Sequence, residues 1–210
     1  MTGDAPLPAA PGRASWRGRG LAAGLALLGL ALFGDGLYIK AKAALAQVLL
    51  ERAWSETLQS GQPVRPWAWI DTWPVARINV PGLNQSAIVL HGTSGQAMAF
   101  GPGLMSAGPQ PGQPGLAILS AHRDTHFRFL KDVQLGDAIQ VETPDAITHT
   151  FQIIDLRIVE ADQSGLIFDH DTPLIALTTC WPFDTLQTGN KRYVAIGELV
   201  ATDSGARTPI

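Results

Sequence analysis

The sequence has little of what marks several large classes of protein. It has one cysteine in 210 residues, so no internal disulfide and no paired-cysteine zinc or redox motif exists. Charged residues make up 16% of the chain and the net charge is −3. Because nucleic-acid-binding proteins present a basic face, we predict no nucleic-acid partner. What the chain does have is 46% apolar residues, enough for a core, and 22 glycines with 15 prolines, which indicate many turns.

The N-terminal part contains a long apolar run, in which Asp35 is the single charge of residues 20–39. A helix of ~20 residues spans a bilayer, and arginines before a span favour a cytoplasmic N-terminus. We therefore predict a cytoplasmic basic tail at 1–19 and an uncleaved transmembrane signal anchor at 20–39. A cleaved signal peptide is the main alternative, since "AKAALA" at 41–46 resembles processing sites. A third option is a buried core helix, but the arginines that precede the apolar run argue against it. These are Arg13, Arg17 and Arg19.

Residues 40–73 are predicted to form a juxtamembrane helix followed by an irregular linker. Leu45, Val48, Leu49 and Ala53 have nearly helical spacing. Tryptophans in this region lie either at the lipid interface or against the following domain: Trp54, Trp67, Trp69 and Trp73.

From 74 to 200 the pattern changes to short alternating strands separated by turns. Seven or eight such strands predict an all-β fold, an antiparallel β-barrel or sandwich with short helices. The apolar phase of the strand over 147–160 shifts near Asp155, which predicts a bulge. The proline- and glycine-rich segment 101–115 is predicted to stay outside the ladder. Residues 201–210 are predicted to be a flexible tail.

Three chemically useful side chains lie at predicted strand ends: His122, Cys180 and Arg192. If the last two strands are antiparallel neighbours, Cys180 and Arg192 share one rim of the barrel. A thiolate is a nucleophile, an imidazole can take and return its proton, and a guanidinium stabilises an oxyanion. If His122 reaches the same rim, these groups predict acyl transfer through a thioester.

Simpler interpretations of these residues remain open. A cysteine after an apolar strand is often a small buried side chain, and a strand-edge arginine is often only solvated. His122 and His126, with Asp124 between them, suggest a metal pair, but zinc sites need three or four ligands, so we predict no metal.

Three motifs in order resemble those of the sortases, which are membrane-anchored cysteine transpeptidases with an eight-stranded β-barrel. The motifs are "SAHRDTHF", "LTTCW" and "KRYVAIGEL", and the resemblance covers about residues 74–200. The family's cysteine motif is Thr-Leu-x-Thr-Cys, whereas this chain has Ala176 at the first position. The departure affects support of the site rather than its chemistry.

The resemblance implies a role for each matching residue. Cys180 would be the nucleophile, His122 the general acid and base, and Arg192 the cation that positions substrate and stabilises the oxyanion. The residues that would support the site or bind substrate are Ala121, Thr178, Thr179 and Trp181. Trp181-Pro182, the N-terminal anchor and "HRDTHF" are similar to sortases of the Gram-negative type.

The implied reaction is cleavage of a C-terminal sorting signal like Leu-Pro-x-Thr-Gly, then transfer of the protein to an amine. The partners are thus a substrate protein, an amine acceptor that the sequence does not identify, and the bilayer. The protein would lie in the inner membrane with its catalytic domain in the periplasm. No cofactor is expected, and a bound calcium stays open. The alternatives are another cysteine acyltransferase, such as an L,D-transpeptidase, and a non-catalytic membrane-tethered β module. The L,D-transpeptidase cysteine motif, Ser-x-Gly, does not precede Cys180.

Overall fold

The computed structural model describes residues 16–185 and 189–204. Eight strands and two α-helices make up its main elements, with short 3-10 turns at Pro81–Leu83, Arg128–Lys131 and Ala161–Gln163. In chain order the elements are α1 (Trp16–Ser60), β1 (Pro74–Val80), β2 (Gln85–His91), α2 (Gly95–Met98), β3 (Gly103–Leu104), β4 (Gly115–Ser120), β5 (Ala138–Glu142), β6 (Ile147–Glu160), β7 (Pro173–Cys180) and β8 (Lys191–Ser204).

The eight strands close into a barrel in the order β1-β2-β3-β4-β7-β8-β6-β5. This confirms the predicted all-β barrel of about eight strands. The predicted bulge is confirmed as well, because the register between β6 and β8 shifts between Ile153 and Asp155. β8 continues to Ser204, so the predicted tail begins inside a strand, and residues 205–210 lie outside the described residues.

Two strand pairings differ from an all-antiparallel barrel. β4 pairs with β7 in parallel, and so does β2 with β3. A parallel pair needs a long crossover, and the chain between β4 and β7 is long enough to hold β5 and β6.

The prediction for the proline- and glycine-rich segment was wrong at two residues. Gly103 and Leu104 form β3, which bridges β2 and β4. A Cβ atom at Gly103 would lie 2.2 Å from the carbonyl oxygen of Gly92. Glycine therefore permits the close approach that lets this short strand join the ladder.

The chain divides into two compact units, Met1–Ala44 and Leu45–Ile210. In the first unit, α1 exposes large apolar side chains, such as Leu27 at 68% and Phe33 at 70%. In the described part of the chain, a single helix is long and apolar enough to cross a bilayer; the candidate span is Ala23–Ser60, with a mean hydropathy of 1.4. These properties fit a membrane anchor.

In the second unit, the end of α1 packs on the barrel. Leu50 and Trp54 are buried against Ile88 and Leu90 of β2. For Trp54 the packing alternative therefore holds, whereas Trp69 in the linker is 82% exposed.

Candidate active site

The two faces of β7 have different environments, and this difference determines where the thiol lies. Ile175 and Leu177 belong to the core inside the barrel. Ala176 points to the opposite, outer face of the barrel, where it belongs to a second apolar cluster, the outer cluster, with Leu116, Ile118 and Val194. Because successive strand residues point to opposite faces, Cys180 shares the outer face with Ala176.

Cys180 and Arg192 lie directly opposite each other on β7 and β8. Arg192 is two residues from Val194 of the outer cluster, so its side chain is on the same outer face as Cys180. Directly opposed residues have Cβ atoms about 5 Å apart. This confirms the predicted common rim for these two residues. Both side chains are half-buried, and Arg192 donates through Nη1 to the carbonyl oxygens of Gly189 (3.2 Å) and Lys191 (3.0 Å).

The end of β4 brings His122 to the same rim. β4 and β7 run in parallel with Ser120 level with Thr178. The match continues past the strand, since the Ala121 amide donates to the Thr178 carbonyl at 3.2 Å. By this register we expect His122, two residues past the last paired residue of β4, to lie level with Cys180. His122 is exposed, so its imidazole is open to substrate.

Thr179 fastens the two segments below the thiol. Its side chain is only 2% exposed, and its Oγ1 donates to the Ala121 carbonyl oxygen at 2.7 Å. On the outer face, the hydroxyls of Thr178 and Ser120 are 2.6 Å apart. Cys180 and His122 therefore rest on a rigid base.

We expect Thr179→Val to lower the free energy of unfolding by about 1–3 kcal/mol. The replacement keeps the shape of the side chain but leaves the buried Ala121 carbonyl without its donor. Chemical denaturation measures the effect. Thr125→Val is the matched control, because Thr125 is exposed. Equal stability of the two variants would contradict the supporting role of Thr179.

A groove of about 330 Å3 runs along the outer face beside this rim. Thr178 and Arg192 line it together with apolar side chains of four elements. One wall comes from the β6–β7 connection, whose Leu166 and Phe168 pack on the outer cluster. An extended peptide with apolar side chains can lie in such a groove, whose lining includes Arg192, the cross-strand partner of Cys180. The apolar lining residues are Met105, Ile118, Val159, Ala161, Leu166, Phe168 and Val194.

His126 does not line the outer groove. It lines a separate cavity of about 140 Å3 with Ile78, Ala87 and Phe129. Burial, together with the charge of His122, lowers the pKa of His126, so His126 stays neutral to lower pH than an exposed histidine. Among residues 16–185 and 189–204, no cluster of three or more His, Cys, Asp or Glu side chains could hold a metal ion.

Sequence reasoning did not find two further features of the rim. Arg123 donates to the carbonyl oxygens of Pro182 (2.8 Å) and Thr185 (2.7 Å), which ties the segment after His122 to the segment after Cys180. Trp181, Phe183 and Tyr193 form a cluster with ring centroids 5.2–6.0 Å apart. Burial raises the pKa of Tyr193, which stays neutral at physiological pH. The "CWPF" string contained the aromatic signal, but only the strand pairing adds Tyr193 to it.

The chain is a closed eight-stranded β-barrel protein with a thiol and a guanidinium paired across two strands at one rim. The family model "Sortase domain" matches residues 78–200, which is more than half of the chain. The protein therefore belongs to the sortase family. Sortases are cysteine transpeptidases that sort surface proteins.

Known relatives agree with this membership. Sortase D of Bacillus subtilis (strain 168) is 29% identical over 124 residues, which are 59% of this chain and 62% of that protein. The chain thus spans less than two thirds of that relative's length. The catalytic domain of B. anthracis SrtD is 30% identical with a TM-score of 0.54, and the match covers 63% of this chain and 90% of that one. Sortase A of Listeria monocytogenes shares the fold, with 24% identity, a TM-score of 0.57 and coverage of 64% and 92%.

Proposed function

We propose that this protein is a membrane-anchored cysteine transpeptidase that cleaves an LPxTG-like C-terminal sorting signal and transfers the released protein to an amine. The observation that carries the proposal is the pairing of Cys180 with Arg192 on the outer face, at a rim that the end of β4 also reaches. Family membership supports the reaction type. The site is also unlike that of a buried structural thiol, because Cys180 is only half-buried.

In the first half-reaction, His122 takes the thiol proton and Cys180 Sγ attacks the carbonyl carbon of the signal's threonine. Arg192 stabilises the oxyanion of the tetrahedral intermediate. The Thr–Gly bond then breaks, and His122 delivers the proton to the leaving glycine amine. The product is a thioester between the substrate protein and Cys180.

In the second half-reaction, an amine attacks the thioester carbonyl and gives a proton to His122. The carbon–sulfur bond breaks, and the thiolate recovers the proton from His122. Water competes with the amine for the same thioester. No step of this mechanism draws on a metal or an organic cofactor, and the supporting roles fall to Ala121, Thr178, Thr179 and Trp181.

The proposal includes an arrangement at the membrane. Residues 20–39 of α1 would be the signal anchor, 1–19 a cytoplasmic tail, and 40–73 the connection to the catalytic barrel at 74–200. The exposed apolar side chains of α1 support the anchor. We place the protein in the inner membrane with its catalytic domain in the periplasm because arginines precede the anchor. We assign it to the Gram-negative type of sortase because Trp181-Pro182 follows the cysteine.

Mass spectrometry of the intact protein tests the proposed function. The full chain in detergent is incubated with an LPxTG-like peptide, with and without an added primary amine. We expect a covalent adduct with the mass of the peptide portion that ends at its threonine, and an amide product when amine is present. Absence of both products with every candidate sorting peptide would overturn the proposal.

A further inference from the structure

The aromatic cluster lines a second depression at this rim, open to solvent and of about 410 Å3. Trp181 and Tyr193 line it, and they directly follow Cys180 and Arg192 in the chain. Phe183 and Pro182 add to the apolar wall, while Lys131 and Asp184 lie at its edge. The pocket therefore begins one residue from the proposed nucleophile.

This pocket and the outer groove lie on different sides of the Cys180–Arg192 pair. The groove is on the outer face, with Thr178 and Val194. Tyr193 alternates with Arg192 along β8 and packs against the core inside the barrel. A transpeptidase needs two approaches to its thioester, one for the acyl chain and one for the acceptor. The two depressions supply one each.

We propose that the pocket of Trp181, Phe183 and Tyr193 is the acceptor subsite, and that it selects a primary amine carried on a linear aliphatic stem. This inference rests on the proposed function and identifies the class of its second substrate. Aromatic rings provide broad apolar surface on which methylene groups can be buried.

Charge is a weak selector at this pocket. Lys131 and Asp184 are both exposed and have opposite signs. Beyond Asp184, Arg123, Arg128 and Asp124 line the next depression, so cationic and anionic groups are mixed there as well. The length of the apolar stem, rather than a second charge on the acceptor, should therefore control acceptor use.

The test measures how the thioester partitions between amine and water. The full chain in detergent receives an LPxTG-like peptide with methylamine, propylamine or pentylamine, and mass spectrometry measures the ratio of amide to hydrolysed product. We expect this ratio to rise with stem length, by up to about fourfold for each methylene that becomes fully buried. Because the ratio is set after the thioester forms, it is independent of how fast the sorting peptide reacts.

Variants locate the effect. Trp181→Ala should remove most of the dependence on stem length, and Phe183→Leu, which keeps an apolar side chain, should reduce it. Trp69→Ala is the matched control, since Trp69 is 82% exposed in the linker, and it should keep the wild-type dependence. If Trp181→Ala does not fold, Phe183→Leu decides.

The outcomes separate this inference from the proposed function. A thioester that forms but partitions without regard to stem length overturns the acceptor subsite alone. An unchanged dependence in both pocket variants does the same. A wild-type protein that forms no thioester overturns the proposed function and the inference with it.

Discussion

Replacing Cys180 with alanine is expected to abolish thioester formation and to lower peptide turnover by at least about a thousandfold. The proposed reaction has no other nucleophile, because Cys180 is the only cysteine of the chain. Intact-mass measurement after incubation with the sorting peptide should show no adduct. His122→Ala should lower turnover strongly as well, through loss of the proton carrier.

The fold of the Cys180→Ala variant should stay intact. Cys180 is half-buried at the end of β7, so the smaller side chain leaves no closed cavity in the core. A denaturation midpoint close to wild type would attribute the loss to chemistry. Undiminished turnover in Cys180→Ala and His122→Ala together would rule out the proposed mechanism.

Arg192→Lys is expected to lower turnover by about 100- to 1,000-fold even though the positive charge is kept. Lysine presents a single ammonium on a flexible stem, whereas the guanidinium holds several donors in a fixed plane. A misplaced oxyanion donor costs a loss of this size. Steady-state cleavage of the sorting peptide measures it.

The adjacent Lys191→Arg variant is the matched control for this substitution. Lys191 is exposed and pairs only at 4.0 Å with Glu160, so exchanging its cation should leave turnover close to wild type. Equal activity of Arg192→Lys and wild type would show that charge alone, without guanidinium geometry, is enough at the rim.

Much of the barrel was predictable because short apolar or alternating runs are separated by turn residues such as Pro81-Gly82 and Gly136-Asp137. The shift of apolar phase near Asp155 identified a real bulge. Pairing between distant strands was less accessible, since periodicity does not say which strands meet or in which direction. The parallel β4–β7 pair and the two-residue strand β3 were therefore not predicted.

The candidate site, like the barrel, was predictable only in part. Strand ends and motif order pointed to His122, Cys180 and Arg192, and the strand register brings their backbones to one rim. Their catalytic roles stay predictions. The outer groove and the aromatic pocket were not predicted, because each combines residues from three or more distant segments, such as Lys131, Phe183 and Tyr193.

The two hydrogen bonds of Arg123 have a consequence for how mutations should combine. They join the segment that follows His122 to the segment that follows Cys180. A displacement of either segment is thereby transmitted to the other. A pair of substitutions, one in the segment after His122 and one in the segment after Cys180, should therefore have nonadditive effects on turnover. The double variant should lose less turnover than the product of the two single losses.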